Sequence, residues 1–162
     1  MEKDYHLFEE DLFKGVVGEN IFIDYIKEKK ISFTDVRHEP YFQIHDVDFV
    51  INEKWYEVKN NYKDNECIIL ELMINANPKF GDLIDGWFYT SLANYFIFTS
   101  RKHIIQLRNS LKFYNWFEAN KSNYTIVKNQ PTINQRKQKV YQSGYVRIPI
   151  EDIPKIFIKR LK

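Results

Sequence analysis

The stretch His45-Asp46-Val47-Asp48-Phe49-Val50-Ile51-Asn52-Glu53-Lys54-Trp55-Tyr56-Glu57-Val58-Lys59 decides how the rest of the chain is read. Its apolar residues recur with a period of two, first through Val47, Phe49 and Ile51 and again through Trp55 to Lys59. That period belongs to a strand, because successive side chains of extended backbone point to opposite faces of a sheet. Asn52-Glu53-Lys54 supplies turn residues between the two runs, so the segment reads as a β-hairpin. With Glu53-Lys54 as a two-residue loop, Val50 faces Glu57 and Asp48 faces Lys59. Asp48, Glu57 and Lys59 then project from one face, and Val47, Phe49, Tyr56 and Val58 from the other. A four-residue loop keeps that parity. A three-residue loop destroys it.

Two carboxylates and an ammonium on one sheet face suit a particular chemistry. A hard divalent cation such as Mg²⁺ binds through one or two carboxylates and completes its shell with water and phosphate oxygens. Bound there, it polarises a phosphoryl group and lowers the pKa of a coordinated water. A neighbouring lysine orients that water or offsets charge in the transition state. Metal-dependent phosphodiester hydrolysis uses all three side chains; the plain structural reading is a half-exposed sheet with ordinary cross-strand ion pairs. A Glu-x-Lys triplet alone carries little weight, since Glu28-Lys29-Lys30 also fits it on a predicted surface helix. Strand context and an acidic partner set Glu57-Val58-Lys59 apart.

These residues resemble the PD-(D/E)XK nucleases, a superfamily that includes restriction endonucleases, Holliday junction resolvases and many phage-encoded nucleases. Asp48 matches the acidic residue that opens one strand, and Glu57-Val58-Lys59 matches the acidic-x-Lys triplet of the next. The resemblance implies a further carboxylate from the preceding helix, which falls on Glu19 within Gly18-Glu19-Asn20-Ile21-Phe22. Gly86-Trp87 ahead of Ala93-Asn94-Tyr95-Phe96 is also similar to small nucleases in which a Gly-Trp precedes a buried central strand. The likeness covers roughly residues 15–100. Val47 stands where the superfamily's pattern has proline, and Asp46 shares the predicted face of Asp48. The implied fold is α/β, a restriction endonuclease-like three-layer arrangement with a mixed central sheet flanked by helices. The implied activity is a Mg²⁺-dependent endonuclease acting on DNA, with Mn²⁺ able to substitute. Asp48, Glu57 and Glu19 would hold the metal, and Lys59 would assist the attacking water.

Outward from the hairpin, residues 5–30 carry apolar positions at helical spacing, and Gly15 and Gly18 predict one bent helix or two shorter ones. Residues 31–40 are short and mixed, with room for one strand. Ile68 to Ile74, Ala93 to Thr99, Ile104 to Leu107, Tyr124 to Val127 and Gly144 to Ile150 read as strands. Residues 109–120 read as a helix, and Glu151 to Leu161 as a closing helix with Pro154 near its start. The whole is a mixed α/β layer fold. The expectation is one domain over 1–162, its core at about 5–127 and a basic part at 128–162.

Charge is divided along the chain. The formal net charge of the 162 residues is only +2, yet residues 1–120 hold 14 basic and 20 acidic side chains, and residues 121–162 hold 10 and 2. Within the basic part, Lys128, Arg136, Lys137, Lys139 and Arg147 lie among Tyr141, Tyr145, Gln and Asn. Such a stretch is ordinarily a solvated loop; beside an acidic metal site it suits phosphate contacts with DNA. Glu71 could reach the site but reads more simply as structural or exposed, and His45, close to the site, reads more simply as a turn or surface histidine. Cys67 is the single cysteine, which excludes an intrachain disulfide and a multi-cysteine zinc site. His6, His38, His45 and His103 show no metal-ligand spacing, and no phosphate-binding glycine loop is present. The acidic N-terminal stretch does not read as a signal peptide, and no apolar run approaches the roughly 20 residues of a membrane span, so a cytoplasmic location is expected. Cleavage of two strands makes a homodimer plausible. The competing readings are a catalytically inactive nucleic-acid-binding module on the same fold and an interaction protein with an exposed aromatic patch.

Overall fold

The computed structural model describes residues 6–61, 66–75, 82–133 and 139–162. It is an α/β structure built on a mixed six-stranded sheet and a second, four-stranded sheet, with few helices. The hairpin lies inside the larger sheet. Its strands β3 (Phe49–Ile51) and β4 (Lys54–Asn60) pair antiparallel through Phe49↔Tyr56, Val50↔Trp55 and Ile51↔Lys54. The loop is therefore Asn52-Glu53, one residue earlier than expected. Both loop residues have positive φ, 48° and 62°, as in a type I′ turn, whose twist matches the flanking strands and whose first position suits Asn. The shift keeps the parity and changes the partner: carried one step further, the register sets Asp48 beside Glu57 rather than Lys59.

Strand β2 (Thr34–Asp35) borders β3 on one side. On the other, β7 (Tyr95–Thr99) runs parallel to β4, followed by β8 (Ile104–Arg108) and β13 (Ile158–Arg160), both antiparallel to their neighbours. The two faces of this sheet carry different cores. Helix α1 (Phe8–Glu28) lies on one, where Phe22, Ile23 and Ile26 meet Phe49, Ile51, Val58 and Ile97. On the other, Phe96, Phe98, Ile105 and Leu107 meet Ile68, Leu70 and Leu72 of β5 (Cys67–Ile74) and Val146 and Ile148 of β12 (Gly144–Pro149). After the single-turn helices α2 (Pro40–Gln43) and α3 (Trp87–Thr90), Phe113 and Phe117 of α4 (Leu111–Asn120) close that core, and the hydroxyl of Ser110 caps the helix by accepting from the Phe113 N–H. Strands β6 (Ile84–Asp85) and β9 (Val127–Lys128) flank the β5–β12 pair. A small sheet joins β1 (His6–Leu7), β10 (Thr132–Ile133) and β11 (Lys139–Tyr141). No helix among the described residues is long and apolar enough to cross a membrane.

Of the two alternatives for residues 5–30, the single helix is the one that forms: α1 is one continuous element of 21 residues that includes both glycines. Gly18 is where it crosses the sheet: a Cβ there would lie 2.7 Å from Asn60 Cβ and 2.8 Å from Thr99 Oγ1. The glycine permits this close approach. Gly18→Ala is accordingly expected to destabilise the protein by about 1–3 kcal/mol through overpacking, measured by denaturant titration. Gly15→Ala, where an added Cβ meets nothing closer than 4.0 Å, is the comparison and is expected to stabilise the protein by about 0.5–1 kcal/mol.

The closing helix does not form. Residues 150–152 make a single 3₁₀ turn, and residues 158–160 form β13 on the free edge of β8. Ile153 and Phe157 have helical spacing and are both buried, but Pro154 intervenes and a sheet edge offers the last residues backbone partners that a short helix lacks. Between them, β12 and β13 carry the basic C-terminal part into both sheets. The predicted strand at Tyr124 to Val127 begins instead at Val127, after a 3₁₀ turn over Lys121–Asn123.

Candidate active site

Strand alternation places Glu57 and Lys59 on the sheet face turned away from α1, in register with Phe96 and Phe98 of β7. Asp48 enters from the start of the hairpin. Its backbone N–H donates to the Tyr56 carbonyl at 2.8 Å, and its Oδ2 accepts from the Val58 N–H at 2.7 Å. These bonds fix the carboxyl against β4. Glu57 is 6% exposed, stands beside Asp48 in the strand register and is ion-paired with the Lys59 ammonium. Lys59 also sits over the Trp87 ring, 4.7 Å from its centroid, a cation–π contact that holds the amine at the mouth of the site.

Burial, followed by the charge of Glu57, pushes the Asp48 carboxyl up to about 8. Burial also raises Glu57, against the opposing pull of Lys59. Two carboxylates side by side in a poorly solvated place cannot both ionise cheaply, so the pair retains a proton that exposed acids lose. Burial works to lower the Lys59 ammonium, but the Glu57, Asp46 and Asp48 charges together hold it above its usual value. At neutral pH the protonated Asp48 carboxyl thus sits beside a Glu57–Lys59 ion pair.

Glu19 stands apart from this pair. Its Oε2 accepts from Arg37 Nη1 at 2.7 Å, and Arg37 also donates to both carboxylate oxygens of Asp35 at 2.9 and 2.6 Å. The Arg37 hydrogen bonds hold Asp35 below the ordinary carboxylate range. Glu19 is close enough for its charge to add to the upward push on Asp48, yet its direct partner is a guanidinium. Among the described residues no three His, Cys, Asp or Glu side chains converge as a metal-holding group. The donor set that fits a divalent cation is therefore Asp48 with Glu57. Two carboxylates with water and phosphate oxygens around them suit Mg²⁺.

A cavity of about 390 Å³ opens beside Lys59, lined by Asp46, Glu71, Asp85, Trp87 and Tyr141 among others. Asp46, with φ of 51°, turns into it from the loop before β3. Asp46 thus lines the cavity while Asp48 binds the strand, so the two acids of the predicted face have different places. Glu71 accepts from Ser143 Oγ at 2.5 Å, a structural bond between β5 and the residue before β12, and it also lines this cavity. Asp85 and Arg37 were not singled out by the sequence, and Tyr141 was noted only as an aromatic within the basic C-terminal part. Asp85 immediately precedes Gly86-Trp87 and was legible from that pair, whereas nothing near Arg37 or Tyr141 marks their partners. The His45 ring instead stacks on Trp55, with centroids 6.4 Å apart, and meets Tyr41 edge-on at 5.0 Å.

Of the basic residues, Lys128 is exposed on β9. Arg147, half-buried on β12, stands over the Tyr145 ring at 5.6 Å and donates to its hydroxyl at 3.3 Å. Arg136 and Lys137 lie outside the described residues, as does the side chain of Lys139. No protein-family model, no curated protein and no solved structure matches the chain.

Proposed function

We propose that the protein is a Mg²⁺-dependent endonuclease that hydrolyses DNA phosphodiester bonds, on a fold of the restriction endonuclease-like type, in the cytoplasm and plausibly as a homodimer. The observation that carries this reading is the buried Asp48–Glu57 pair with Lys59 ion-paired to it, at the edge of a cavity open to a ligand. Asp48 and Glu57 would hold the cation, which supplies Lewis-acid polarisation of the phosphoryl group and a water of lowered pKa. Lys59 would direct that water by hydrogen bonding, and its charge would offset the negative charge that builds on the phosphoryl oxygens in the transition state. Cation binding would free Lys59 from part of its pairing with Glu57, because the metal takes over neutralising the carboxylates. Lys128 and Arg147 lie in the part of the chain read as holding backbone phosphates.

The test is cleavage of a panel of duplex, branched and single-stranded DNA with Mg²⁺ or Mn²⁺, and its loss on chelation. DNA binding that is unchanged by Glu57→Ala, with no cleavage of any substrate, would establish the inactive binding module instead. Glu19→Gln is expected to lower turnover by only about tenfold, within the range for residues that support metal ligands from outside, because Arg37 already engages that carboxylate.

A further inference from the structure

The strand register places a second ligand-sized cavity on the opposite face of the large sheet. Tyr95 pairs with Arg108, and Gln106 pairs with both Ile97 and Lys159. Paired residues on adjacent strands share a face, and Ile97 packs under α1. Arg108, Gln106 and Lys159 therefore point to the α1 side, away from Glu57. There they line a cavity of about 340 Å³ with Tyr95, Lys155 and Ile156.

Three cations enter this cavity and no carboxylate lines it. None of Arg108, Lys155 and Lys159 is ion-paired with a described residue. Lysines at two other cavities are paired: Lys59 with Glu57, and Lys121, beside a cavity lined by Tyr89 and Tyr114, with Glu118 at 3.7 Å. Like charges gathered without counter-charge repel one another, and an anion relieves that repulsion. Arg108 and Gln106 offer directed N–H donors, and the two lysines offer mobile ammonium groups. The Arg108 backbone is held in place by its N–H bond to the Phe157 carbonyl at 2.7 Å, which anchors the strand end from which the guanidinium extends.

We propose that Arg108, Lys155 and Lys159 form a phosphate-binding site that holds backbone phosphates of nucleic acid on the face opposite the candidate active site. The phosphate chemistry follows from these three side chains. Only the choice of polymer rests on the nuclease reading. A site on the far face contributes to affinity and not to the reacting geometry.

The experiment uses the full chain in EDTA, so that binding is read without cleavage. Anisotropy of a labelled 20-bp duplex is measured from 50 to 300 mM salt for wild type and for Arg108→Gln/Lys155→Gln/Lys159→Gln. Expected are a weakening of about tenfold at the lower salt concentrations and a slope of log K against log[salt] that is shallower by up to about 2.7, at roughly 0.9 per lost phosphate contact. Lys27→Gln/Lys29→Gln/Lys30→Gln, with the same charge change on exposed residues of the α1 end, is the control and should shift the slope less. In parallel, inorganic phosphate is titrated into ¹⁵N-labelled protein while the Gln106 side-chain amide is followed. Shifts with both phosphate and duplex support the proposal as stated. Shifts with phosphate alone support the anion site and assign it to small phosphorylated ligands. No shift with either, or equal effects of the two triple variants, overturns it. Cleavage is assayed separately, so a duplex bound here but never cut would defeat the nuclease reading and leave this one standing.

Discussion

Glu57→Gln is expected to reduce Mg²⁺-dependent DNA cleavage by at least about 10³-fold, the scale on which removing a preorganised electrostatic group from a reacting centre acts. The substitution keeps the side chain's size and its place on β4 but removes the charge to which Lys59 is paired. It leaves one carboxylate of the two that fit a divalent cation. Duplex affinity in EDTA should change little, because removing an acidic charge does not take away any phosphate contact. Turnover at saturating DNA is therefore the diagnostic quantity, and a loss confined to KM would point to binding instead of chemistry. Near-UV circular dichroism of the variant checks that Lys59, deprived of its partner, has not disturbed the core. Lys59→Met should cost a comparable factor, with metal affinity retained. Cleavage within tenfold of wild type in both variants would place the chemistry elsewhere.

The sequence disclosed the parts of this arrangement that follow from strand parity. Alternation through Asp48 and Glu57 to Lys59 is a local property, and an error of one residue in the loop left the face intact while changing who stands opposite whom. The long helix, β5, β7, β8, α4 and β12 were also legible, because each has an apolar pattern of sufficient length. What was not legible depends on distant partners. Ile158–Arg160 is a strand because β8 has a free edge, a fact written nowhere near residue 158. Gly18 looked like a helix breaker because its reason, the proximity of Asn60 and Thr99, lies 42 and 81 positions away. Glu19 lies on the helix as the resemblance implied, but Arg37, 18 residues downstream, takes its carboxylate. Glu71 and Asp85 reach the cavity because β5 and β6 belong to a second sheet, and no single-strand pattern reports how two sheets lie against each other.

In metal-free buffer the protein is expected to lose stability as pH rises toward about 8, and Asp48→Asn is expected to remove much of that loss. The sign follows from linkage. Asp48 titrates at about 8 in the folded protein, against an ordinary value of 3.8. Between those values the folded state holds a proton that the unfolded chain has released. Its stabilising contribution is full below about 3.8 and is lost as pH rises through about 8. Glu57, also raised by burial, works in the same direction. An asparagine at 48 cannot ionise, yet its amide oxygen still accepts from the Val58 N–H, as the acid does. At pH 9 in EDTA the variant should melt about 4–8 °C above wild type, given that 1 kcal/mol moves Tm by about 2–4 °C in a protein of this size. At pH 5 the two should nearly coincide. Mg²⁺ provides the second arm. It should raise the Tm of wild type at pH 9, because a cation between the two carboxylates replaces the missing proton, and should do less for the variant. A wild-type melting temperature that is flat from pH 5 to 9 would show that the pair is not held as the fold suggests. A variant stabilised at high pH but unresponsive to Mg²⁺, beside a responsive wild type, would tie the cost of this buried pair directly to the cation it is built to accept.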